Sequence, residues 1–538
     1  MSTNNDADIL IQVGVTRCTI KVSNGVILNH NLIDDSCSFP VPNAKYTERF
    51  KRGEWDGKYH LYKKYDKSFP TGLLQRVMDA LEIYRLKYKL QMLFEEPQVC
   101  KFDWELVDVD FRPYQNNAIE SAYDNKNGII QIPTGGGKTL VAAGIIQKFG
   151  VKTLLLCCTT DILYQNYNVL KAVLPNAKIG IIGDGNLEIG DINVAMVQTI
   201  APKIPDIRGT HGDTEYDNFV KYGDDEPLVV DLKPTEISAE LVKQVVESSE
   251  LLIFDECHHI SCATFYKIAM YSKSILRFGL SASPKRDDGF DMKIEAGVGS
   301  IIYKISISEL IRFGYLARPN IHFIAVPPKA YPKNAKYIDV YHKYIVNNDS
   351  RNAIIQAISL EQMKKGKKTL IITKEIPHIN ILNKLIPESV IVYGKIGSNE
   401  RLQILEDFRQ HNIGVLIGTS VADEGIDLPS VECLILGGAG KSLVKTIQRL
   451  GRALRLSDRC PNPKCHSYDV RIKGINDPCI CKKCGQQWEY NGKREVDVYD
   501  FQDNTRKWLF DHYLIRKSIY EQEEEFDISF RRIEIKTN

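Results

Sequence analysis

The spacing of apolar residues changes along this chain, and each spacing predicts a different element. Near the start, Ile9-Leu10-Ile11-Gln12-Val13 and Cys18-Thr19-Ile20-Lys21-Val22 alternate with a period of two, which predicts strands. From about Gly72 to Leu90 the spacing turns helical. From about Phe111, continuous apolar runs alternate with helical stretches. Gly128-Ile129-Ile130-Gln131-Ile132, Thr153-Leu154-Leu155-Leu156-Cys157 and Leu251-Leu252-Ile253-Phe254 read as strands buried on both faces of a parallel sheet. The pattern resumes at Lys368-Thr369-Leu370-Ile371-Ile372, Val415-Leu416-Ile417-Gly418 and Cys433-Leu434-Ile435-Leu436, and again at Val496-Asp497-Val498-Tyr499. A helix is expected from about Thr505 to Tyr520. The acidic run Glu521-Gln522-Glu523-Glu524-Glu525 follows and is expected to be a solvated face.

The chain is thus expected to be α/β, with a small N-terminal α/β domain (1–98) and two parallel-sheet domains (99–308 and 309–538). An acidic, weakly apolar stretch at about 203–245 reads as a surface insertion in the first. A cysteine-rich stretch at about 457–495 interrupts the second. No repeat of solenoid length is evident.

Composition narrows the class. With 538 residues, 43% hydrophobic and 26% charged, the chain fits a folded globular protein. No apolar run reaches membrane-span length. The polar start, Met1-Ser2-Thr3-Asn4-Asn5-Asp6, does not have the form of a signal peptide. A reducing, cytoplasmic setting is expected, the host cytoplasm if the source is viral. Eight of the thirteen cysteines are scattered, as that setting allows. The balance of 70 basic and 68 acidic residues does not decide on nucleic acid, because a polyanion needs a basic track rather than a basic whole.

Candidate chemistry begins at Pro133-Thr134-Gly135-Gly136-Gly137-Lys138-Thr139, between a strand and a helix. Three glycines let the backbone curl its N–H groups toward phosphate oxygens, and the helix N-terminus adds positive charge. Lys138 would reach the β- and γ-phosphates of ATP, and Thr139 would hold Mg2+. Ile132 stands where the generic pattern has glycine. Asp255-Glu256-Cys257-His258 ends a buried strand, and 116 residues separate it from Lys138. Asp255 would bind the Mg2+ through water, and Glu256 would polarise the attacking water. Ser281-Ala282-Ser283 is a third element in order. Arg112-Pro113-Tyr114-Gln115 lies upstream; Gln115 can pair with adenine, and Pro113 also suits a helix start.

Downstream, Thr419-Ser420-Val421-Ala422-Asp423-Glu424-Gly425-Ile426-Asp427 follows a buried strand. Thr419 and Gly425 can meet phosphates, and Asp427 can orient nearby arginines. Gln448-Arg449-Leu450-Gly451-Arg452-Ala453-Leu454-Arg455 places arginines three residues apart, close to one helix face. Arg452 and Arg455 are candidate fingers for the charge on a transferred phosphoryl group, with Gln448 beside them.

As an ordered set over roughly residues 110–510, these motifs resemble the superfamily-two DExH helicases. The resemblance implies two tandem RecA-like folds, ATP and Mg2+ between them and a nucleic-acid strand across their top. It further implies that Thr159-Thr160 and Gln198-Thr199 contact that strand. His258, Ser281 and Ser283 would couple nucleotide state to closure.

A narrower resemblance is to the UvsW family of bacteriophage recombination helicases. Arg49-Phe50-Lys51-Arg52-Gly53-Glu54-Trp55-Asp56-Gly57, Phe69-Pro70-Thr71-Gly72-Leu73 and the C-terminal helix with Tyr513-Leu514 and Tyr520 carry it. It implies remodelling of branched or forked DNA, by junction migration, unwinding or annealing, and removal of RNA–DNA hybrids, alongside recombination or replication proteins. The acidic insertion and the cysteine cluster fall outside it. Two other readings stand beside it: an RNA helicase or the translocase subunit of a restriction-type complex, and an annealing scaffold with a vestigial ATPase.

The cysteine cluster pairs Cys460 with Cys465 and Cys481 with Cys484, 15 residues apart, a spacing that suits tetrahedral Zn2+ in a ribbon-like insertion. Cys479 competes as a ligand, and His466 does so more weakly. Arg459, Lys464, Lys482 and Lys483 surround the cluster, so it could touch DNA phosphates or simply pin the insertion. In the N-terminal domain, Arg52, Lys63 and Lys64 interleave with Trp55 and tyrosines. These could hold DNA by charge and stacking, or the aromatics could form the domain's own core.

Overall fold

The computed structural model describes residues 9–23, 27–42, 44–206, 238–261, 263–282, 291–327, 336–410, 413–419, 431–438, 440, 450–465, 467, 469–505 and 507–532. The chain forms two compact units, Met1–Ile132 with Gly137–Lys304 and Pro133–Gly136 with Ile305–Asn538.

An eight-stranded sheet organises the first unit. Its order is Asn186–Glu188, Ile179–Gly183, Ile192–Met196, Thr153–Cys157, Leu251–Asp255, Leu276–Ser281, Asn127–Gln131, Ile301–Lys304. Every neighbouring pair is parallel except the hairpin at the first edge. Thr153–Cys157, Ile192–Met196, Leu251–Asp255 and Leu276–Ser281 are buried at every residue, which explains runs without alternation. Parallel strands bring their carboxyl ends to one edge, so the chain leaves Gln131, Cys157, Met196, Asp255 and Ser281 on the same side. This is the RecA-like α/β arrangement.

The N-terminal residues add a mixed sheet in the order Ser68–Pro70, Arg17–Val22, Ile9–Val13, Tyr88–Met92. The helical spacing expected to reach Leu90 stops earlier. The helix Leu74–Ile83 ends at Tyr84, and Arg85 turns left-handed at φ 55°. Tyr88–Met92 then pairs in parallel with Ile9–Val13 at an edge. Most of its side chains are exposed, so the strand carries no alternation to read.

This small domain shares one apolar core with the larger sheet's helices. Gly72 lies so close to the helix Asp291–Val298 that a Cβ there would sit 2.0 Å from the carbonyl oxygen of Glu295. Arg76 Nε meets Glu295 Oε2 at 2.7 Å, and Lys293 Nζ lies 4.3 Å from the Tyr59 ring centroid.

The structure describes only the two ends of the acidic insertion expected at about 203–245. Residues 207–237 lie outside the described residues. Ala239–Ser248, however, is a helix capped by Ser238 that buries Val242, Val245 and Val246. Those valines stand at helical spacing within a charged stretch, and Ile204 is buried as well.

Among the described residues, the larger sheet of the second unit has seven strands, all parallel, in the order Ser389–Val392, Val415–Gly418, Thr369–Ile372, Cys433–Leu436, Glu495–Asp503, Arg318–Val326, Asp527–Arg531. The C-terminal helix runs Lys507–Glu521. The acidic run after it is a solvated face only in part: Glu521, Gln522 and Glu524 are exposed, while Glu523 and Glu525 are half-buried. Glu523 Oε2 accepts from the Ser308 backbone N–H at 2.9 Å and from its hydroxyl at 2.6 Å, at the N-terminus of helix Ile307–Arg312. Glu524 pairs with Arg312, and Glu525 with Arg312 and Arg318. A helix N-terminus attracts carboxylates, which explains the dense acid at this point. Among the described residues, no helix is long and apolar enough to cross a membrane.

The close approach at Gly72 makes a test of the docking. Gly72→Val should lower the thermal unfolding midpoint by several degrees, as overpacking costs about 1–3 kcal/mol. Gly414→Ala, where a methyl group meets open space, should leave it unchanged. Circular dichroism melts of both variants check this.

Candidate functional site

Strand Asn127–Gln131 leads into the glycine loop, and helix Lys138–Phe149 leaves it. Gly135 and Gly137 have φ of +87° and +78°, a conformation that strains residues with a Cβ. The Gly136 N–H donates to Pro133 O at 3.0 Å and closes the turn, with Thr134 buried within it. The left-handed Gly137 is followed at once by the helix, so Lys138 and Thr139 occupy its first turn.

Two neighbouring strands converge on this turn. Lys138 Nζ lies 3.0 Å from Glu256 Oε1, just past strand Leu251–Asp255. Glu256 itself has φ 51°, an uncommon conformation for a residue with a side chain. Burial would push its pKa up, but the charges of Lys138 and His258 pull it down to about 2. Asp255 is shifted the other way, by burial and then by the Glu256 charge. Its Oδ2 accepts from Asn166 Nδ2 at 2.9 Å. Asn166 Oδ1 in turn accepts from Thr139 Oγ1 at 3.0 Å. One amide therefore joins the two residues expected to hold Mg2+. Asn166 was not among the expected site residues. Its signal is faint: a single polar residue on the buried face of helix Thr160–Val173.

His258 Nδ1 stands 3.3 Å from Ser281 Oγ and 3.5 Å from Glu256 Oε2. It thus links the end of one strand to the end of the next. His259 packs at a tilt against His258 and stacks on Phe265. Ser283 lies outside the described residues. Gln115 is buried; its Oε1 accepts from the Arg112 N–H at 2.9 Å and caps helix Pro113–Asn125. Its amide nitrogen lies against the loop, where a Cβ on Gly137 would approach it to 2.5 Å. The structure thus shows Gln115 in the helix-start role, with its amide beside the glycine loop.

Further along the same carboxyl edge, Thr159 caps helix Thr160–Val173. Gln198 Nε2 donates to Cys158 O at 2.8 Å, which joins the two loops expected to meet a strand. Thr199 is buried beside them. In the N-terminal domain, the Trp55 indole N–H donates to Lys58 O at 2.7 Å, and Lys64 Nζ lies 2.9 Å from Asp34. Lys63 is half-buried, and burial, then the charge of Arg17, lowers its pKa. Arg52 is exposed, whereas Tyr62 and Phe69 are core residues.

In the second unit, Thr419 follows strand Val415–Gly418 and is buried. Gly425, Asp427 and Gln448 lie outside the described residues. Arg452 is on a short helical turn, and Arg455 pairs its backbone with Leu316. The buried Lys493 donates to Ala453 O at 2.7 Å and to Val431 O at 2.9 Å, holding the end of that turn. Its sequence signal was masked by the general basic character of residues 482–494.

Beyond Arg455 the chain forms a three-stranded antiparallel sheet of Val470–Arg471, Pro478–Cys481 and Gln487–Glu489. The sulfur atoms of Cys460, Cys465, Cys481 and Cys484 all lie within 4.8 Å of one another. The Cys460–Cys484 and Cys465–Cys481 separations are 3.6 and 3.7 Å. Four thiolates about 2.3 Å from a tetrahedral zinc stand about 3.8 Å apart, so the set fits that ion. Cys479 turns elsewhere: its thiol is buried near Asp458 Oδ2, which accepts from the Trp488 indole and the Asn491 N–H, both at 3.0 Å.

Residues 108–286 match the family described as Type III restriction enzyme, res subunit, and residues 349–457 match the helicase conserved C-terminal domain. Both matches make the chain similar to the helicases of superfamily two. It is 29% identical over 66% of its length to a protein of Sulfolobus islandicus filamentous virus named helicase 22, of which it spans 63%. It is 26% identical over 65% of its length to the DNA 3'-5' translocase XPB2 of Sulfurisphaera tokodaii, covering 80% of that protein. Within the superfamily it resembles UvsW: it is 22% identical over 78% of its length to the ATP-dependent DNA helicase uvsW of Enterobacteria phage T4, covering 83% of that chain.

The hold on the arginine turn is testable by itself. Lys493→Met strands two buried carbonyl groups, at about 1–3 kcal/mol each. A drop of several degrees in the thermal midpoint is expected, against no change for the exposed Lys464→Met. Melting curves by fluorescence check both.

Proposed function

We propose that this chain is an ATP-dependent DNA helicase or translocase that remodels branched DNA, by junction migration, strand unwinding or annealing, and removal of RNA–DNA hybrids. The observation that carries the reading is the meeting of Lys138, Thr139, Asp255 and Glu256 at one carboxyl edge of a parallel sheet. The named activities of the archaeal translocase and of the phage helicase support DNA as the polymer.

In this reading the glycine loop wraps the phosphates, and Lys138 leaves Glu256 to neutralise them. That departure removes the foremost charge holding the Glu256 carboxyl below its usual range, so its proton affinity rises as water arrives to be polarised. Mg2+, when bound, screens phosphate charge. Thr139 and Asp255 are the residues that would hold it. Arg452 and Arg455 serve as fingers, and Gln448, Gly425 and Asp427 share in nucleotide binding and hydrolysis. His258 and Ser281, with Ser283, report nucleotide state. Thr159, Gln198 and Thr419 border the strand path, and Arg52, Trp55, Lys63 and Lys64 steady the duplex. We assign the four clustered thiolates to one structural Zn2+, which pins the insertion, and the chain to a reducing cytoplasm.

ATP turnover measured with single-stranded DNA, duplex, fork, four-way junction and RNA–DNA hybrid tests the function. Branched DNA should stimulate at least about tenfold over no DNA. Lys138→Ala should abolish turnover, and Glu256→Gln should keep ATP binding while losing about 10²–10⁴ in rate. Equal turnover on every polymer, or stimulation by RNA alone, would overturn the DNA-branch reading. Elemental analysis should find one zinc per chain, retained in Cys479→Ser and lost in Cys481→Ser. A metal-free reduced protein would refute the zinc site.

A further inference from the structure

Asn166 is 1% exposed and stands on helix Thr160–Val173, outside every motif that defines the nucleotide site. Its two amide atoms serve two different partners, Oδ1 taking the Thr139 hydroxyl hydrogen at 3.0 Å and Nδ2 donating to Asp255 Oδ2 at 2.9 Å. The amide cannot be reversed without loss. A carboxylate only accepts, so the nitrogen must face Asp255, and the oxygen is left for Thr139.

This has a consequence for Thr139. A hydroxyl has one hydrogen and two lone pairs. With the hydrogen committed to Asn166, the lone pairs are left to face a cation. Asp255 is constrained in the same way: one oxygen is held by Asn166, and Oδ1 accepts the Glu256 backbone N–H at 3.0 Å. We propose that Asn166 is a positioning residue for magnesium: it orients the Thr139 hydroxyl and the Asp255 carboxylate together, so that both are preset as cation ligands before nucleotide arrives. The proposal rests on the assignment of Thr139 and Asp255 to the nucleotide site. The preset arrangement reduces the ordering that the ion would otherwise impose, as hydrogen bonds to the ligands do at other metal sites.

Titration with a fluorescent N-methylanthraniloyl ATP, in Mg2+ and in EDTA, separates ion-dependent from ion-independent binding without measuring turnover. The unaltered protein should bind the probe at least about tenfold more tightly with Mg2+. Asn166→Leu, of similar volume but without donor or acceptor, should reduce that ratio about tenfold while its affinity in EDTA stays the same. Asn166→Asp keeps an acceptor for Thr139 but faces Asp255 with like charge, so it should also lose the Mg2+ increment. Retention of the full increment in Asn166→Leu, with a wild-type melting curve, would overturn the proposal. Loss of EDTA affinity in the same variant would overturn it too, because the residue would then be supporting the loop rather than the ion site. Lys138→Ala should weaken binding in both media. If it does not, or if the unaltered protein does not bind the probe, the nucleotide-site reading itself fails, and the role of Asn166 fails with it.

Discussion

An ammonium and two adjacent carboxylates share the buried end of one parallel sheet, and each charge has to be answered there. Lys138 answers Glu256, and Asn166 with the Glu256 backbone answers Asp255. Unanswered, any of these charges would cost several kcal/mol in so dry a place. Much of the local backbone follows from this demand. The loop must turn left-handed at Gly137 to start a helix with Lys138 at its mouth, and Glu256 must adopt a positive φ to face it. In the proposed cycle, an entering phosphate would replace one of these partners and leave the others in place.

The parts of this arrangement that speak in sequence are those with strong local rules. Glycines ahead of Lys138-Thr139 and carboxylates after an apolar run are visible because several residues must agree at fixed spacing. The central strands are visible because burial on both faces removes polar residues from them. Asn166 is not visible, because one amide on an amphipathic helix looks like any tolerated polar residue. Edge strands are hidden for a related reason. Tyr88–Met92 is largely exposed, and its residues had fitted a continued helix. Asp527–Arg531 is half-exposed and pairs with a strand about two hundred residues away, a partner that no local pattern encodes. The acidic run misled in part, for a different cause: composition suggests solvent, whereas the free N–H groups of helix Ile307–Arg312 supply a specific partner.

The cysteine module shows how an insertion can be tolerated inside a sheet-forming sequence. It leaves after Arg455 and returns before strand Glu495–Asp503. Its two ends are tied by the Lys493 N–H to Ser457 O at 3.0 Å, with the Tyr490 hydroxyl donating to Ser457 O at 3.3 Å. The sheet therefore sees a narrow stalk. Four sulfur atoms gather within it, and the zinc proposed for them would replace the apolar core that so few residues could not form. Of Cys479 and Cys481, both open as candidates in sequence, the second lies in the sulfur cluster, while the first lies near Asp458, which gathers the Trp488 side chain and the returning backbone.

The position of Asp527–Arg531 also bears on how the molecule is made. The first unit closes its sheet when Ile301–Lys304 reaches Asn127–Gln131, so it is complete with more than two hundred residues still to be translated. In the second unit, Arg318–Val326 is made early but takes both its neighbours, Glu495–Asp503 and Asp527–Arg531, from the end of the chain. A strand that emerges first and pairs last exposes both backbone edges throughout synthesis of its unit, which at ribosomal speeds of about 5–20 residues per second lasts tens of seconds. The order of the strands thus gives the second unit a nascent stage in which Arg318–Val326 waits, unpaired, for the partners that close its sheet.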